Sequence, residues 1–463
     1  MGRHIGHKEI SPVEATEAYL RRIEKVEPQL NAFITVTADH AMQSARQAEA
    51  EIAVGTYRGS LHGVPVAVKD QIHTAGILTT SGSKFSADFV PTEDATAVHR
   101  LKQAGAVMVG KTNMAELAFG GPTSSAFGAT RNPWDLTRDA GSSSNGSGAA
   151  TTAFMCATSL GEDTGGSIRN PSAKCGLVGL RPSWGRVSRF GVERVAWSLD
   201  TAGPMSRTVE DCAATLGIIA GHDTRDPYSW KSPVPDYQSE LTDDIAGVRI
   251  GLFREFTDPA QSTAAPPVLK AVEAAADTLV DLGADVRPVS LSLAYSAGVA
   301  CHVIIAVEHA GLTPERIRHR PNDFAHLNRI QTLTAELIPA STYYKAQKLR
   351  AMIRAQVLEL LDSFDALLMP TASAPAQMIE MDPHLNSQQE AEAALTDSSY
   401  RGLFSMVGGP VISVCCGFTT DGNVELPLGM QIGGKPFDEA TVLRIAHAYE
   451  RATSWHTRRP PIR

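Results

Sequence analysis

Serine, lysine and glycine occur in three short runs of this 463-residue chain in combinations that can carry nucleophilic chemistry. In Asp163-Thr164-Gly165-Gly166-Ser167-Ile168-Arg169, two glycines precede a serine. Such a turn can aim several backbone N–H groups into one space, where they would hold the oxyanion of a tetrahedral intermediate beside the attacking serine. A Gly-Gly-Ser turn alone is also an ordinary loop. In Val64-Pro65-Val66-Ala67-Val68-Lys69-Asp70, a lysine ends an apolar run. Desolvation there disfavours the ammonium and lowers its pKa, so a neutral lysine could serve as general base toward a serine. The same lysine could instead form a buried ion pair with Asp70 or another carboxylate. The third run, Gly141-Ser142-Ser143-Ser144-Asn145-Gly146-Ser147-Gly148, is almost entirely glycine and serine.

Rival chemistries fail on context. Gly105, Gly110, Lys111 and Thr112 match the phosphate-loop pattern G-x-x-x-x-G-K-[ST]. A phosphate loop needs a strand before its first glycine and a flexible stretch between the two; here residues 106–109 read as strand themselves. The 14 histidines are scattered without an H-E-x-x-H pair, and His319 and His326 lack accompanying ligands at a zinc spacing. The G-x-S-x-G elbow is missing, since the nearest stretch, 141–145, ends in Asn145. Cys175, between Lys174 and Gly176, reads as a packed small hydrophobe rather than a nucleophile.

The elements that must position these runs follow from patterning. Ser11, Pro12 and Glu14 form a capping-box helix start, and Tyr19, Ile23 and Val26 then recur at helical spacing. Helices are expected over 39–53, 94–104 and 267–282, and strands over 64–69, 106–109, 248–253, 284–289, 366–369 and 426–432. Residues 294–363 read as mostly helical with breaks at Pro321 and Pro339, residues 380–397 as a surface helix or loop, and Asp438 as the cap of a last helix. Between 141 and 191, glycine, serine and small residues dominate, yet Phe154, Leu160, Ile168 and Val178 are interleaved, which indicates close backbone packing rather than a linker. Alternating strands and helices imply an α/β fold with a central mixed β-sheet covered by helices on both faces.

Composition agrees with a globular protein: 43% hydrophobic and 20% charged residues. A net charge of -8 offers no electrostatic attraction for nucleic acid. The densest basic clump, Arg316, Arg318, His319 and Arg320, reads as a solvated helix end. Six cysteines without a C-x-x-C pair suit reduced thiols, and no signal peptide, lipidation motif or membrane span is legible.

Together, 63–70, 110–114, 130–134, 161–181, 426–430 and 434–439 resemble the amidase signature family, with motifs in the family's order over about 40% of the chain. The resemblance implies a serine amidohydrolase with the amidase signature fold and one domain over 1–463, its signature core at about 62–215 and its substrate-selecting region at about 294–400. It implies Ser167 as nucleophile, Ser143 as bridging serine 24 residues earlier with a cis bond to Ser142, and Lys69 as base. Thr164, Gly165, Gly166 and Ser167 would form the oxyanion hole, with Asp163 and Arg169 orienting the loop. No cofactor or metal is implied. The chain departs from the family at Asn145, at Asp139-Ala140 and at Ser405, the last with a consequence for the substrate pocket. Ala300, Val303, Ile304, Ile305, Leu333, Leu337, Tyr343 and Tyr344 suggest an apolar pocket for an aryl or alkyl amide. The expectation is therefore a cytoplasmic amidase acting on a small-molecule amide, without nucleic acid or membrane, and the family suggests a homodimer. Two alternatives stand beside it: the glutamine-hydrolysing A subunit of a tRNA-dependent amidotransferase, and a non-catalytic binding protein of the same fold.

Overall fold

A computed structural model describes residues 1–312, 314–380 and 387–463, without the side chains of Pro314 and Arg316. The side chain of Arg316 in the basic clump and residues 381–386 of the expected surface segment thus lie outside what is described. Strands β1 (Phe33–Val36), β2 (Pro65–Lys69) and β3 (Val107–Thr112) come first, and β4 (Arg131–Asn132) and β5 (Asp135–Asp139) form a separate ribbon. Then follow β6 (Thr158–Glu162), β7 (Val178–Arg181), β8 (Ala202–Ser206), β9 (Arg249–Phe253), β10 (Asp285–Val289), β11 (Ala366–Pro370), β12 (Val411–Asp421) and β13 (Val424–Gly434). Apart from the ribbon, they build one 11-stranded mixed sheet in the order β1-β3-β2-β6-β8-β7-β12-β13-β11-β9-β10.

Side-chain alternation along the central strands divides the core into two layers. Val66 and Val68 of β2 and Met108 of β3 join one hydrophobic cluster. Ala67 of β2 and Val107 and Val109 of β3 join the other, with Ile23, Val26 and Leu30 of the first long helix. That helix, Pro12–Leu30, has the expected capping box: Ser11 Oγ accepts from Glu14 N–H at 3.0 Å, and Glu14 Oε2 accepts from Ser11 N–H at 3.0 Å. Of the expected strands, those at 64–69, 248–253, 284–289 and 366–369 appear as β2, β9, β10 and β11 to within a residue at each end. Residues 294–363 form the helices Ser296–Leu312, Pro314–His319, His326–Ala335 and Ala340–Ser363.

The glycine-serine region is regular structure. Asn145–Thr152 and Arg169–Cys175 are helices that flank β6 and precede β7. Asn145 does not use a left-handed conformation; it opens its helix, and its side chain donates to the Pro122 carbonyl at 3.2 Å. The reason for glycine at the next position is contact: a Cβ on Gly146 would lie 2.4 Å from the carbonyl oxygens of Ala32 and Asn113. Gly146→Ala must push this helix off the loop after β3. It is expected to lower stability by about 1–3 kcal/mol, read as a fall in the urea midpoint at unchanged m-value.

Candidate active site

Lys69 ends β2 on the same side of the strand as Ala67, facing the helix Asn145–Thr152. β2 lies between β3 and β6, so the lysine has no solvent: its side chain is 0% exposed. Its Nζ lies 2.7 Å from Ser143 Oγ, a hydrogen bond in which an ammonium donates and a neutral amine accepts. Glu162 Oε2 is 3.6 Å away and the Glu162 carbonyl 3.4 Å. Burial lowers the Lys69 pKa to about 8 against the opposing pull of Glu162 and Asp163.

Asp70 is not the partner of Lys69. It accepts from Thr80 N–H at 2.7 Å and lies 3.6 Å from Lys111 Nζ. Lys111, the lysine of the phosphate-loop match, is thus a buried structural cation inside β3. Cys175 is fully buried, and burial pushes its thiol up, which removes it as a nucleophile.

Ser143 is joined to Ser142 by a cis peptide, and its carbonyl accepts from Ala115 N–H at 3.1 Å. Ser144 N–H donates to the Ser167 carbonyl at 3.2 Å, and Ser144 Oγ donates to the Glu162 carbonyl at 3.2 Å. The three runs singled out in the sequence therefore meet at one place. Within the loop 163–168, Gly165 and Ser167 are the half-exposed residues and the others are buried.

Asp163 shapes that loop. It accepts from Gly166 N–H at 2.8 Å, Ile168 N–H at 3.1 Å and Arg169 Nε at 3.1 Å, and pairs with Arg181 at 3.2 Å. Burial would raise its pKa, but the two guanidiniums and the amides outweigh that and hold it well below the carboxylate range. Gly166 N–H is engaged in this way, whereas the amides of Thr164, Gly165 and Ser167 donate to no protein group among the described residues. Arg169 continues to Gln431 Oε1 at 2.8 Å and Ser405 Oγ at 2.7 Å. Ser405 is fully buried under Arg169, so it props the loop instead of altering a substrate pocket.

The wall over the loop differs from the apolar one expected. Of the residues named for it, Ile305 reaches the loop: a Cβ on Gly165 would lie 2.9 Å from its Cδ1. Ala300 and Ile304 are core, while Leu337 and Tyr344 face solvent at 81% and 64% exposure. Arg401 also covers the loop; a Cβ on Gly166 would lie 2.6 Å from its Cδ. Its guanidinium pairs with Asp397 at 3.0 Å. Both come from the helix Gln388–Val407, which is buried in its second half although its polar start reads as a surface segment. Two further buried carboxylates, Glu162 and Asp200, are joined through Thr164 Oγ1 and were not among the expected site residues. Glu162 carried a signal, an ionisable residue in an otherwise uncharged strand.

Asp163→Asn would leave Arg169 and Arg181 buried without their carboxylate, with an expected loss of about 3–5 kcal/mol in urea unfolding. Because the native pKa is depressed, Asp163 contributes its stability above the ordinary carboxylate pKa of 3.8 and loses it only as pH falls through the lower native value. The stability gap between wild type and variant should therefore be constant from pH 5 to 8.

Residues 14–443 match the family model described as Amidase. The chain is 42% identical to the A subunit of the glutamyl-tRNA(Gln) amidotransferase of Geobacter metallireducens, covering 98% of this chain and 96% of that one. Among solved structures it is similar to the A subunit of the same amidotransferase from Thermotoga maritima, with 31% identity, a TM-score of 0.81 and coverage of 98% and 95% of the two chains. It is also similar to native peptide amidase from Stenotrophomonas maltophilia, with 32% identity, a TM-score of 0.84 and coverage of 99% and 96%. The expected partners, a small-molecule amide alone, no nucleic acid and a homodimer, are corrected by the first two, which are subunits of an amidotransferase for glutamyl-tRNA(Gln). Net charge misled because it describes one chain's surface and not an RNA engaged by an assembly. The chain belongs to the amidase signature family of enzymes that hydrolyse amide C–N bonds.

Proposed function

We propose that this chain is the glutamine-hydrolysing A subunit of a tRNA-dependent amidotransferase, acting through Ser167, Ser143 and Lys69 as one domain over 1–463. The observation that carries the reading is end-to-end likeness to the A subunit of such an enzyme at 42% identity. The charged pair over the loop supports it: Arg401 suits the α-carboxylate of a free amino acid and Asp397 its ammonium, chemistry that an aryl or alkyl amide would leave unused. Among the described residues no helix is long and apolar enough to cross a membrane, and a tRNA-dependent role belongs in the cytoplasm.

Neutral Lys69 takes the Ser143 proton as Ser143 takes that of Ser167, and Ser167 Oγ attacks the side-chain amide carbon. The oxyanion is held by the free amides of Thr164, Gly165 and Ser167, while Gly166 serves by fixing the turn through Asp163. The proton returns along the same path to the leaving nitrogen, which departs as ammonia, and water then hydrolyses the glutamyl ester. The ammonia would pass to glutamyl-tRNA held by the partner subunits.

The test is ammonia release from glutamine by the purified chain, alone and with the remaining amidotransferase subunits of its organism. Glutamine turnover that needs or is raised by those subunits, and that falls about 10⁴-fold or more in Ser167→Ala, is expected. Turnover of aryl or aliphatic amides with none of glutamine would overturn the reading. Arg401→Ala is expected to raise KM for glutamine about 10–100-fold with a smaller change in kcat, measured by steady-state kinetics.

A further inference from the structure

Thr164 Oγ1 lies 2.8 Å from Glu162 Oε1 and 2.8 Å from Asp200 Oδ1. A hydroxyl has one hydrogen to donate, and ionised carboxylates only accept. Two full two-centre bonds can exist together only if one carboxyl is an acid that donates to Thr164 Oγ1 while the hydroxyl donates to the other. We propose that Glu162 and Asp200 share a single proton through Thr164, and that this proton sets the charge felt by Lys69. The proposal rests on the base role given to Lys69 above.

The other partners say where the proton resides. Asp200 accepts from the backbone N–H groups of Val195 and Ala196, both at 2.9 Å, the donors that an ionised carboxylate needs. Glu162 has one weak donor, Gln71 Nε2 at 3.3 Å, and Lys69 at 3.6 Å. The acid form therefore falls mainly on Glu162, and a neutral Glu162 leaves Lys69 without a close counterion, free to be a neutral amine. Burial raises both carboxyls above the usual carboxylate range, and two like charges this close disfavour the doubly ionised pair. The other charges facing the pair are fixed: Asp163 is held ionised between Arg169 and Arg181. On its outer side Asp200 borders a cavity of about 620 Å³ with His73, Arg189, Glu193 and Arg194, a route by which the proton exchanges with water. Glu162 and Asp200 are positioning residues in this scheme; they act through Lys69.

The decisive variants are isosteric. Asp200→Asn removes the like charge that keeps Glu162 an acid, so Glu162 ionises beside Lys69 and raises the lysine pKa. Glu162→Gln is a permanent stand-in for the neutral acid. The probe is a fluorophosphonate, whose rate of labelling Ser167 rises with pH as Lys69 loses its proton and needs no knowledge of the substrate. The midpoint of this limb is expected to move up by about one pH unit, tenfold in Lys69 ionisation, in Asp200→Asn, and to stay at or below the wild-type midpoint in Glu162→Gln. A midpoint that does not rise in Asp200→Asn, or that rises in both variants, overturns the proposal. Infrared spectroscopy gives a second readout without turnover. At neutral pH, wild type minus either folded variant should show the carbonyl stretch of one protonated carboxylic acid, and its absence contradicts the shared proton. Failure of Ser167 to label at all would instead count against the catalytic roles, leaving the infrared result to judge the pair.

Discussion

An ammonium group needs water or counterions, and the sheet denies Lys69 the first and rations the second. This constraint organises the site. β2 sits between two parallel neighbours, β3 and β6, and its last residue is walled in by both. The register that sets Val68 beside Leu160 brings Lys69 level with the end of β6, where Glu162 and then Asp163 begin the serine loop. Behind it, the helix Asn145–Thr152 packs so closely that glycine is required at 146, and this carries Ser143 to 2.7 Å from the lysine nitrogen. A lysine in solution would be a poor base near neutrality; one held here has its neutral form within reach.

Two kinds of buried charge surround it. Asp163, Arg169 and Arg181 are satisfied by each other and by backbone groups, and they act as scaffolding: they fold the loop, consume the Gly166 amide and tie the loop to β13 through Gln431. Glu162 and Asp200 are different, since the donors around them do not suffice for two negative charges. Fixed charges shape the site, and an under-supplied pair is where a proton can move.

Much of this was legible beforehand because the chemistry lies in contiguous runs. Lys69 at the end of an apolar strand and Ser167 after two glycines carried their own physical reasons, and the spacing to Ser143 came with the family resemblance. What could not be read depends on tertiary placement. Asp200 reaches Thr164 from 36 residues away in a loop without regular pattern. Arg401 and Asp397 sit on a helix that is polar at its start and buried at its end, so periodicity did not show which face covers the serine loop. The strand β12 was missed because Cys415, Cys416 and Gly417 interrupt the alternation where a bulge shifts the register. The partner expectation failed for another reason: one chain's charge is silent about an assembly.

The central claim is that desolvation makes Lys69 a base, and direct titration of its side-chain nitrogen tests it. In protein labelled with ¹⁵N-lysine, the Lys69 resonance, assigned by its loss in Lys69→Met, is followed through pH by NMR. The account predicts a midpoint of about 8 or lower, with the amine increasingly neutral above it. A midpoint at the ordinary lysine value of 10.5 would mean that the pocket leaves the ammonium intact, and would contradict the account.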